Sequence, residues 1–400
     1  MPSTILLIGT FDTKAQEFAF VKQIIESRGH KAFMMDAGIF SKPPFDVEIS
    51  AAEVAEAGGG SLEVLRERRD RGEAMDVMIA GVSELAASLY AAGKIDGVLS
   101  LGGGGGTNIG TAAMRQLPVG VPKFMVSTVA SSDVRPYVDV KDVTMMYSVV
   151  DIAGLNRISK KILANAAGAI CGMVEQQITT HNDKKLIATT MFGVTTPCVT
   201  RVRDRLEKEG YEVVVFHATG SGGRAMEGLI DDGYISAVAD ITTTEWCDEL
   251  VGGVLSAGPA RLDAAARKGI PQVVSCGALD MVNFHAMNTV PTEFADRMFY
   301  KHNPNVTLMR TTSEECAALG KIIAEKLNQS TGPTSLMLPL KGVSMIDNNG
   351  QPFYNPKADA ALFNAIREHA GDAVELLEYD LHINDEAFAD ALVDKLLSLL

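Results

Sequence analysis

Five consecutive glycines, Gly102–Gly106, constrain this chain more than any other feature, because a run without side chains leaves the backbone open to close contact. The apolar run 96–101 before it is short enough for a buried strand, and the segment 111–117 after it has the pattern of a helix. In this order the N–H groups of a glycine loop and the positive end of the helix face one point, which suits phosphate or another anion. A flexible turn of low complexity is the alternative, and the flanking Leu101 and Ile109 argue against it.

Neither standard phosphate-binding pattern fits the glycine run. A Walker loop ends in Gly-Lys-Ser/Thr, whereas this run closes with Gly106, Thr107 and Asn108. The dinucleotide pattern G-x-G-x-x-G fails as well, because its third glycine falls on Thr107, Asn108 or Ile109. The run therefore predicts an anion close to the backbone and names no cofactor.

Composition sets the broad class of the protein. The 400 residues, 46% of them hydrophobic, suffice for two or three compact domains. The net charge of −14 comes without blocks of like charge, so neither nucleic acid nor a membrane is an expected partner. Five dispersed cysteines without a C-x-x-C pair indicate a reducing compartment. The apolar segments 5–8 and 162–174 are too short for a signal peptide and a membrane span, respectively, which predicts a cytoplasmic protein.

Short apolar strands alternate with helices along the whole chain, which predicts an α/β fold. Two such series follow one another, and we expect two Rossmann-like domains with mainly parallel sheets, at residues 1–182 and 183–400. The first series ends in a long helix over about 151–179, which is rich in alanine and glycine. Small residues let helices or subunits approach closely, which indicates either a buried helix or a dimer contact, and a homodimer or a higher homo-oligomer is expected.

Polar residues follow the first two strands at the edge where open α/β sheets bind ligands. Lys14 is a candidate phosphate partner there, and Asp12 is a candidate for magnesium or a hydroxyl group. Thr13 and Gln16 have capping-box spacing, so Thr13 is also a candidate helix N-cap. Asp36 ends the second strand, where an acid commonly binds ribose hydroxyls. Solvated charges for Asp12 and Lys14, and a turn role for Asp36, are the alternatives.

The second series offers its own candidates. The turn after its second strand satisfies G-x-G-x-x-A and predicts a site for a carboxylate or phosphate of a substrate, with the residues Gly220, Ser221, Gly222 and Gly223. Asp280 and His285 are candidates for acid–base catalysis, and a structural histidine is the alternative. Three acids, Glu245, Asp248 and Glu249, suggest either metal ligands or, more simply, the acidic start of a helix.

Four motifs in the same order resemble a known family. The segments Gly9–Lys14, Leu101–Thr107, Ser127–Ser131 and Ser148–Asn156 are similar to the ATP-binding domain family of the tomato mosaic virus resistance protein, whose bacterial and fungal members have no assigned activity. The resemblance spans the chain and is sharpest in its first 180 residues. It implies two Rossmann-like domains with ATP and Mg²⁺ in the first.

Carried over residue by residue, the resemblance implies nucleotide contacts at Asp12, Thr13, Lys14, Arg71, Gly103, Gly104, Gly105 and Gly106. It selects Arg71 from the charged run 66–71, a choice that periodicity does not make. Ile39 stands where the family has a threonine contact, so only a backbone contact is expected there.

These features together predict an ATP- and Mg²⁺-binding protein. The expected chemistry is phosphoryl transfer or ligation on a small acidic metabolite in the cleft between the domains. A non-catalytic nucleotide-sensing or protein-interaction module is the alternative, because no general base or nucleophile stands beside the ATP motifs. A nicotinamide oxidoreductase that uses the segment 220–225 is a third hypothesis.

Overall fold

The computed structural model describes residues 2–176 and 184–400. The chain separates into two compact units, 1–180 and 181–400, whose described parts are named here the N-terminal and the C-terminal domain. The predicted domain boundary at residues 182 and 183 lies outside the described residues.

The N-terminal domain is built on a parallel sheet of five strands within the described residues. Its strands are β1 (Thr4–Gly9), β2 (Lys31–Asp36), β3 (Gly97–Gly102), β4 (Lys123–Ser127) and β5 (Thr144–Tyr147). Their order in the sheet is β2-β1-β3-β4-β5, the order of flavodoxin-like doubly wound folds. The strands are largely apolar because helices cover both faces of the sheet.

Successive residues of β1 point to opposite faces and so enter different cores. Leu6 and Ile8 belong to one core cluster, and Ile5 and Leu7 belong to the other. The helices of this domain are α1 (Phe11–Ser27), α2 (Ala51–Ala57), α3 (Leu62–Arg68), α4 (Arg71–Ala91), α5 (Gly104–Arg115), α6 (Arg135–Val138) and α7 (Arg157–Glu175). Helices α1 and α7 contribute to the second core, whereas α2, α4 and α5 contribute to the first.

The chain leaves β1 and β3 toward opposite faces of the sheet. The two strands are neighbours, with Ile8 opposite Ser100, yet α1 after β1 and α5 after β3 pack on different cores. Such a switch in direction opens a crevice at the carboxyl ends of the strands, which is where open α/β sheets bind ligands.

The C-terminal domain contains a parallel sheet of six strands and a small antiparallel sheet of three within the described residues. The parallel sheet has the order β14-β13-β9-β8-β6-β7, and the antiparallel sheet has the order β10-β12-β11. The bounds are β6 (Leu186–Met191), β7 (Glu212–His217), β8 (Ala237–Thr242), β9 (Gln272–Gly277), β10 (Met281–Phe284), β11 (Phe299–Asn303), β12 (Val306–Arg310), β13 (Thr334–Pro339) and β14 (Glu375–Tyr379). The predicted α/β class with mainly parallel sheets is confirmed.

Helices cover both faces of the large sheet of the C-terminal domain. They are α8 (Thr196–Lys208), α9 (Ser221–Asp231), α10 (Glu245–Val251), α11 (Asp263–Lys268), α12 (Ser313–Leu327), α13 (Pro356–His369) and α14 (Glu386–Leu399). Helices α8 and α14 share one core with the sheet, and the other helices pack on further clusters.

One helix of the described residues, α4, is long and apolar enough to span a membrane by length and composition. Ala74, Met78, Val82 and Ala86 on this helix belong to the core of the N-terminal domain, which is the ordinary position of a helix in a globular α/β domain. The cytoplasmic location stays a prediction.

Candidate functional site

The glycine run is the end of a strand and the start of a helix, so the predicted loop is wrong in its local conformation. Gly102 ends β3, and Gly103 is the N-cap of α5 with φ −79° and ψ −161°. Gly104–Gly106 form the first turn of the helix, and the N–H of Thr107 donates to the carbonyl oxygen of Gly103 at 2.8 Å. No side chain from the described ranges caps this end. The first N–H groups of α5 therefore point outward from the helix without an internal acceptor.

The fold itself requires only some of these glycines. A Cβ on Gly102 would lie 2.8 Å from the Cα of Gly106, too close for any real contact. By contrast, Cβ atoms on Gly103, Gly105 and Gly106 would meet their nearest neighbours at 3.6, 3.8 and 3.4 Å, and one on Gly104 would meet nothing within 4 Å. None of these four has a positive φ. Within the described residues, the chain gives no steric reason for glycine at positions 103–106.

A cation and a hydroxyl group border this first turn. The Nη2 atom of Arg71 lies 3.8 Å from the position of a Cβ on Gly105, and the Oγ1 atom of Thr128 lies 3.6 Å from that of a Cβ on Gly103. Arg71 is exposed at the first position of α4, and the Asp70 carboxylate caps that helix by accepting the N–H groups of Gly72 and Glu73. No hydrogen bond or ion pair of the Arg71 side chain occurs among the described residues.

The start of α1 differs from the sequence prediction. The N-cap is Thr10, so the prediction of Thr13 as N-cap is wrong; the two hydroxyl groups lie 3.0 Å apart. Lys14 has a non-helical backbone, with φ −130° and ψ 28°, and its Nζ donates to the carbonyl oxygen of Ile152 at 2.6 Å. Asp12 accepts the N–H of Phe40 at Oδ2 (2.9 Å), while its Oδ1 is buried and has no hydrogen-bond partner among the residues that the structure describes.

The segment after β2 wraps tightly against α1. Asp36 is 1% exposed, and its Oδ1 accepts the N–H groups of Phe11 (3.1 Å) and Gly38 (2.9 Å). Burial raises the pKa of Asp36 to about 6, although both N–H donors act in the opposite direction. The carbonyl oxygen of Ile39 accepts from Nε of Arg66. Asp36 thus holds the turn, as the alternative interpretation has it, and its contact with ribose stays a prediction.

The structure therefore gathers most of the predicted nucleotide contacts at one edge of the sheet. Residues 12–14 follow β1 and Gly103–Gly106 follow β3, the two strands that flank the crevice. Arg71 reaches the same turn from α4. The roles of these residues in binding stay predictions.

The second glycine turn, in the C-terminal domain, already holds an anion of the chain itself. The Oε1 atom of Glu245 accepts the N–H groups of Gly220 (2.7 Å) and Gly223 (3.0 Å). A Cβ on Gly223 would overlap this carboxylate, and one on Gly222 would overlap the carbonyl oxygen of His217. Packing within the chain thus accounts for these glycines, and the Glu245 carboxylate occupies the place where the sequence predicts an anion of a substrate.

Glu245 belongs to a buried charge cluster that the sequence analysis did not find. Arg261, 1% exposed, donates to Glu245 (2.8 Å), to both carboxylate oxygens of Asp240 and to Glu227 (3.3 Å). Burial acts to lower the pKa of Arg261, but the three carboxylates together raise it well above its usual value; burial raises the pKa of Glu227. The partners lie 16 to 34 residues from Arg261 along the chain, so no local pattern reveals the cluster.

Asp280 and His285 are not brought together. They lie at opposite ends of β10, roughly 16 Å apart at 3.3 Å per residue. Asp280 is fully buried, accepts from the Ser344 hydroxyl at 2.7 Å, and has its pKa raised to about 6 by burial. His285 is exposed. The geometry gives no support to an acid–base pair.

The acids at the start of α10 have separate partners. Glu245 binds the glycine turn, Asp248 accepts from Asn283 at 2.7 Å, and Glu249 accepts from the Ser256 hydroxyl. No group of three or more potential ligands among histidine, cysteine, aspartate and glutamate occurs in the described ranges. Glu245 and Asp248 lie in the first turn of α10, in line with the acidic start of a helix, but their carboxylates bind partners outside that turn.

A groove of about 990 Å³ runs along α8 and α14 in the C-terminal domain. Its arginines are already paired: Arg201 binds Asp390 through two hydrogen bonds of 2.8 Å, and Arg205 binds Asp394 at 2.8 Å. Both arginines therefore already have carboxylate partners within the chain.

Family models match both halves of the chain. Their descriptions read "Uncharacterised protein family (UPF0261) N-terminal domain", which matches residues 3–179, and the C-terminal domain of the same family, which matches residues 184–400. A UPF0261 protein of Clostridium tetani is 53% identical over 402 aligned positions that cover 100% of both chains. The ToMV susceptible protein tm-1 of Solanum lycopersicum is 40% identical over 420 positions, which cover 99% of this chain and 55% of the tomato protein.

Solved structures show only distant likeness. The UDP-N-acetylglucosamine 2-epimerase of Rickettsia bellii has 11% identity and a TM-score of 0.23, over 68% of this chain and 78% of that one. MurG of Acinetobacter baumannii has 11% identity and a TM-score of 0.22, over 99% of this chain and 100% of that one. At these TM-scores neither likeness bears on function.

Proposed function

The chain belongs to the uncharacterised protein family UPF0261, and from this premise we propose that its N-terminal domain binds ATP with Mg²⁺ at the carboxyl ends of β1 and β3. The choice of ATP rests on the resemblance of the four sequence motifs. The choice of place rests on the geometry of the described residues. The 40% identity with the ToMV susceptible protein tm-1 of tomato supports the family resemblance that the motifs indicate.

The observation that carries the proposal is the row of four glycines that the fold does not need. Among the described residues outside the local helix backbone, Cβ atoms at positions 103–106 would meet nothing closer than 3.4 Å, and glycine costs a helix about 0.5–1 kcal/mol relative to alanine. We infer from this that the absence of side chains at these positions serves a ligand. Uncapped N–H groups and the positive helix end favour a phosphate group in that position.

Two cations support the same assignment. Arg71 already lies beside the glycine turn and has no internal anionic partner among the described residues, so it can neutralise phosphate charge without breaking a contact. Lys14 donates to a backbone carbonyl oxygen, that of Ile152. We infer that Lys14 exchanges this neutral acceptor for a phosphate oxygen when the nucleotide binds, because hydrogen bonds between charged groups are the stronger ones.

Magnesium fits a site with few protein ligands. Mg²⁺ is commonly held by one or two carboxylates together with phosphate oxygens and water. Asp12 offers such a carboxylate at the edge of the crevice, and its Oδ1 has no partner within the described residues. Bound there, the ion would offset negative charge on the phosphate groups.

The proposed reaction is ATP-dependent transfer or ligation on a small acidic metabolite. A second candidate function, a nucleotide-sensing module without turnover, is favoured by one observation. His30, the one histidine in the described part of the N-terminal domain, precedes β2 at the opposite edge of the sheet and binds Glu175 at 2.9 Å. No imidazole therefore stands near the proposed phosphate position in these residues.

Calorimetric titration of the full chain with ATP, with and without Mg²⁺, tests the binding proposal. We expect saturable binding that Mg²⁺ strengthens, and no binding of NAD at the same concentration. Absence of ATP binding at millimolar concentration would overturn it. Prolonged incubation with ATP and a set of small carboxylic acids separates the two functions: ADP or AMP formation supports the enzyme, and binding without product supports the module.

A further inference from the structure

Phe40 is unusually exposed for a large apolar side chain. At 78%, it is the most exposed large hydrophobic residue of the described ranges. It stands four residues after the end of β2, next to the residues assigned to the nucleotide. Single exposed apolar side chains are ordinary on protein surfaces, and Phe40 stands out because of its position beside the residues assigned to the nucleotide.

The peptide unit that precedes Phe40 is held at both of its polar atoms. Its N–H donates to Oδ2 of Asp12 at 2.9 Å, and the carbonyl oxygen of Ile39 accepts from Arg66. Gly38 lies so close to the Asp12 carboxylate that a Cβ there would overlap it. The ring therefore projects from an anchored turn, and the anchor is the candidate magnesium ligand itself.

The position matches the far end of a nucleotide whose phosphates lie at α5. The sheet order β2-β1-β3 puts the end of β2 two strand spacings, about 10 Å, from the end of β3. A nucleoside attached to phosphates at Gly103–Gly106 and directed toward Asp36 would bring its base to the side of the sheet where Phe40 stands.

We propose that Phe40 is the stacking surface for the nucleobase, an inference that rests on the proposed function. Aromatic rings stack on every base, and alanine substitution at such a ring typically lowers affinity about 5- to 150-fold, equivalent to about 1–3 kcal/mol. The purines present the larger ring, so ATP and GTP should bind more tightly than CTP and UTP. The site then selects a purine nucleoside triphosphate through this ring.

Calorimetry on the full chain with ATP and with inorganic tripolyphosphate tests the inference. Phe40→Ala should lose 5- to 150-fold in ATP affinity and keep its tripolyphosphate affinity. Phe40→Trp should retain ATP binding, and its added indole should be quenched by ATP; the native Trp246 is buried in the C-terminal domain and supplies a constant background. Ile158→Ala, another exposed apolar residue of the N-terminal domain, is the matched control and should change neither affinity.

The outcomes separate this inference from the proposed function. If the native chain binds ATP and Phe40→Ala binds it equally well, stacking is refuted while the ATP site stands. Equal losses for ATP and tripolyphosphate would also refute stacking, because the ring would then act through the turn. A change in sedimentation with unchanged ATP affinity would assign Phe40 to a protein contact. If the native chain binds neither ligand, both proposals fall.

Discussion

Replacing Gly104 by alanine should make the free protein more stable and its complex with ATP weaker. Gly104 is the first residue of α5, its φ is not positive, and an added Cβ would meet nothing within 4 Å. Alanine therefore fits without strain and removes the excess backbone freedom of glycine in the unfolded chain. A substitution that increases the stability of the free protein but decreases its affinity for ATP would indicate a glycine that is required for ligand binding and not for folding.

The expected size of the stability gain follows from these contacts. Glycine-to-alanine changes at compatible positions gain about 0.4–1 kcal/mol. In a domain of 150–250 residues each kcal/mol shifts Tm by about 2–4 °C, so the gain is about 1–4 °C. On the binding side, the methyl group occupies space that the phosphate needs, and we expect at least about a tenfold loss, or about 1.4 kcal/mol.

Scanning calorimetry of the nucleotide-free chain and titration with ATP measure the two effects separately. Gly168→Ala is the matched control, because Gly168 lies inside α7 of the same domain and its added Cβ would also meet nothing within 4 Å. It should raise Tm similarly and leave ATP affinity unchanged. Gly102→Ala should instead lower Tm, since its Cβ would clash with Gly106 at 2.8 Å. Native ATP affinity in a correctly folded Gly104→Ala variant would refute the reasoning.

Three further substitutions test other parts of the account. Arg71→Ala should weaken ATP binding about tenfold or more, because charged hydrogen bonds contribute about 1.5–3 kcal/mol. It should not lower Tm, because Arg71 is exposed. The control Arg68→Ala removes a surface partner of Glu73, and an equal loss of ATP affinity in this control would contradict the assignment. Burial raises the folded-state pKa of Asp36 to about 6. The folded chain therefore retains a proton that the unfolded chain releases above about pH 4, and the free energy of unfolding decreases as the pH rises from about 4 to about 6. Asp36→Asn keeps an oxygen acceptor for the two N–H groups, and above pH 6 it should increase the free energy of unfolding by up to about 3 kcal/mol. Urea unfolding measures this increase, and an increase at about pH 8 that is no larger than at about pH 5 would contradict the prediction. Glu245→Ala removes one partner of Arg261 and leaves two N–H groups unsatisfied. Calorimetry should therefore show the C-terminal domain destabilised by about 3–5 kcal/mol, compared with about 0.5 kcal/mol or less for the control Glu249→Ala. Similar losses of stability in both variants would contradict the role of Glu245 in the buried charge cluster.

Local apolar patterns sufficed for the main strands and for the fold class. The run Ile5–Ile8 is buried because helices lie on both faces of its sheet, and a continuous apolar run is the sequence form of such a strand. Prediction failed where a distant group decides the local conformation. Helix α1 begins before Thr13, with Thr10 as N-cap, and the Asp36 carboxylate binds the N–H of Phe11 from 25 residues away.

The glycine segments show the same limit. Sequence favoured a loop at Gly102–Gly106, but helical turns form despite glycine when the rest of the helix packs well, as α5 does through Ile109 and Met114. The turn at Gly220–Gly223 has the pattern of an external anion site, and only the fold reveals that Glu245 fills it. The choice of Arg71 came from the family resemblance alone, because charge patterning does not distinguish it from its neighbours.

The Glu245 carboxylate belongs to the same chain as the glycine turn that it binds, so its occupancy does not depend on concentration. A phosphate at Gly103–Gly106 would have to come from solution, and its occupancy would follow mass action. Nucleotide in the sample should therefore raise the melting temperature of the N-terminal domain. The Glu245 contact is present in the C-terminal domain at every nucleotide concentration.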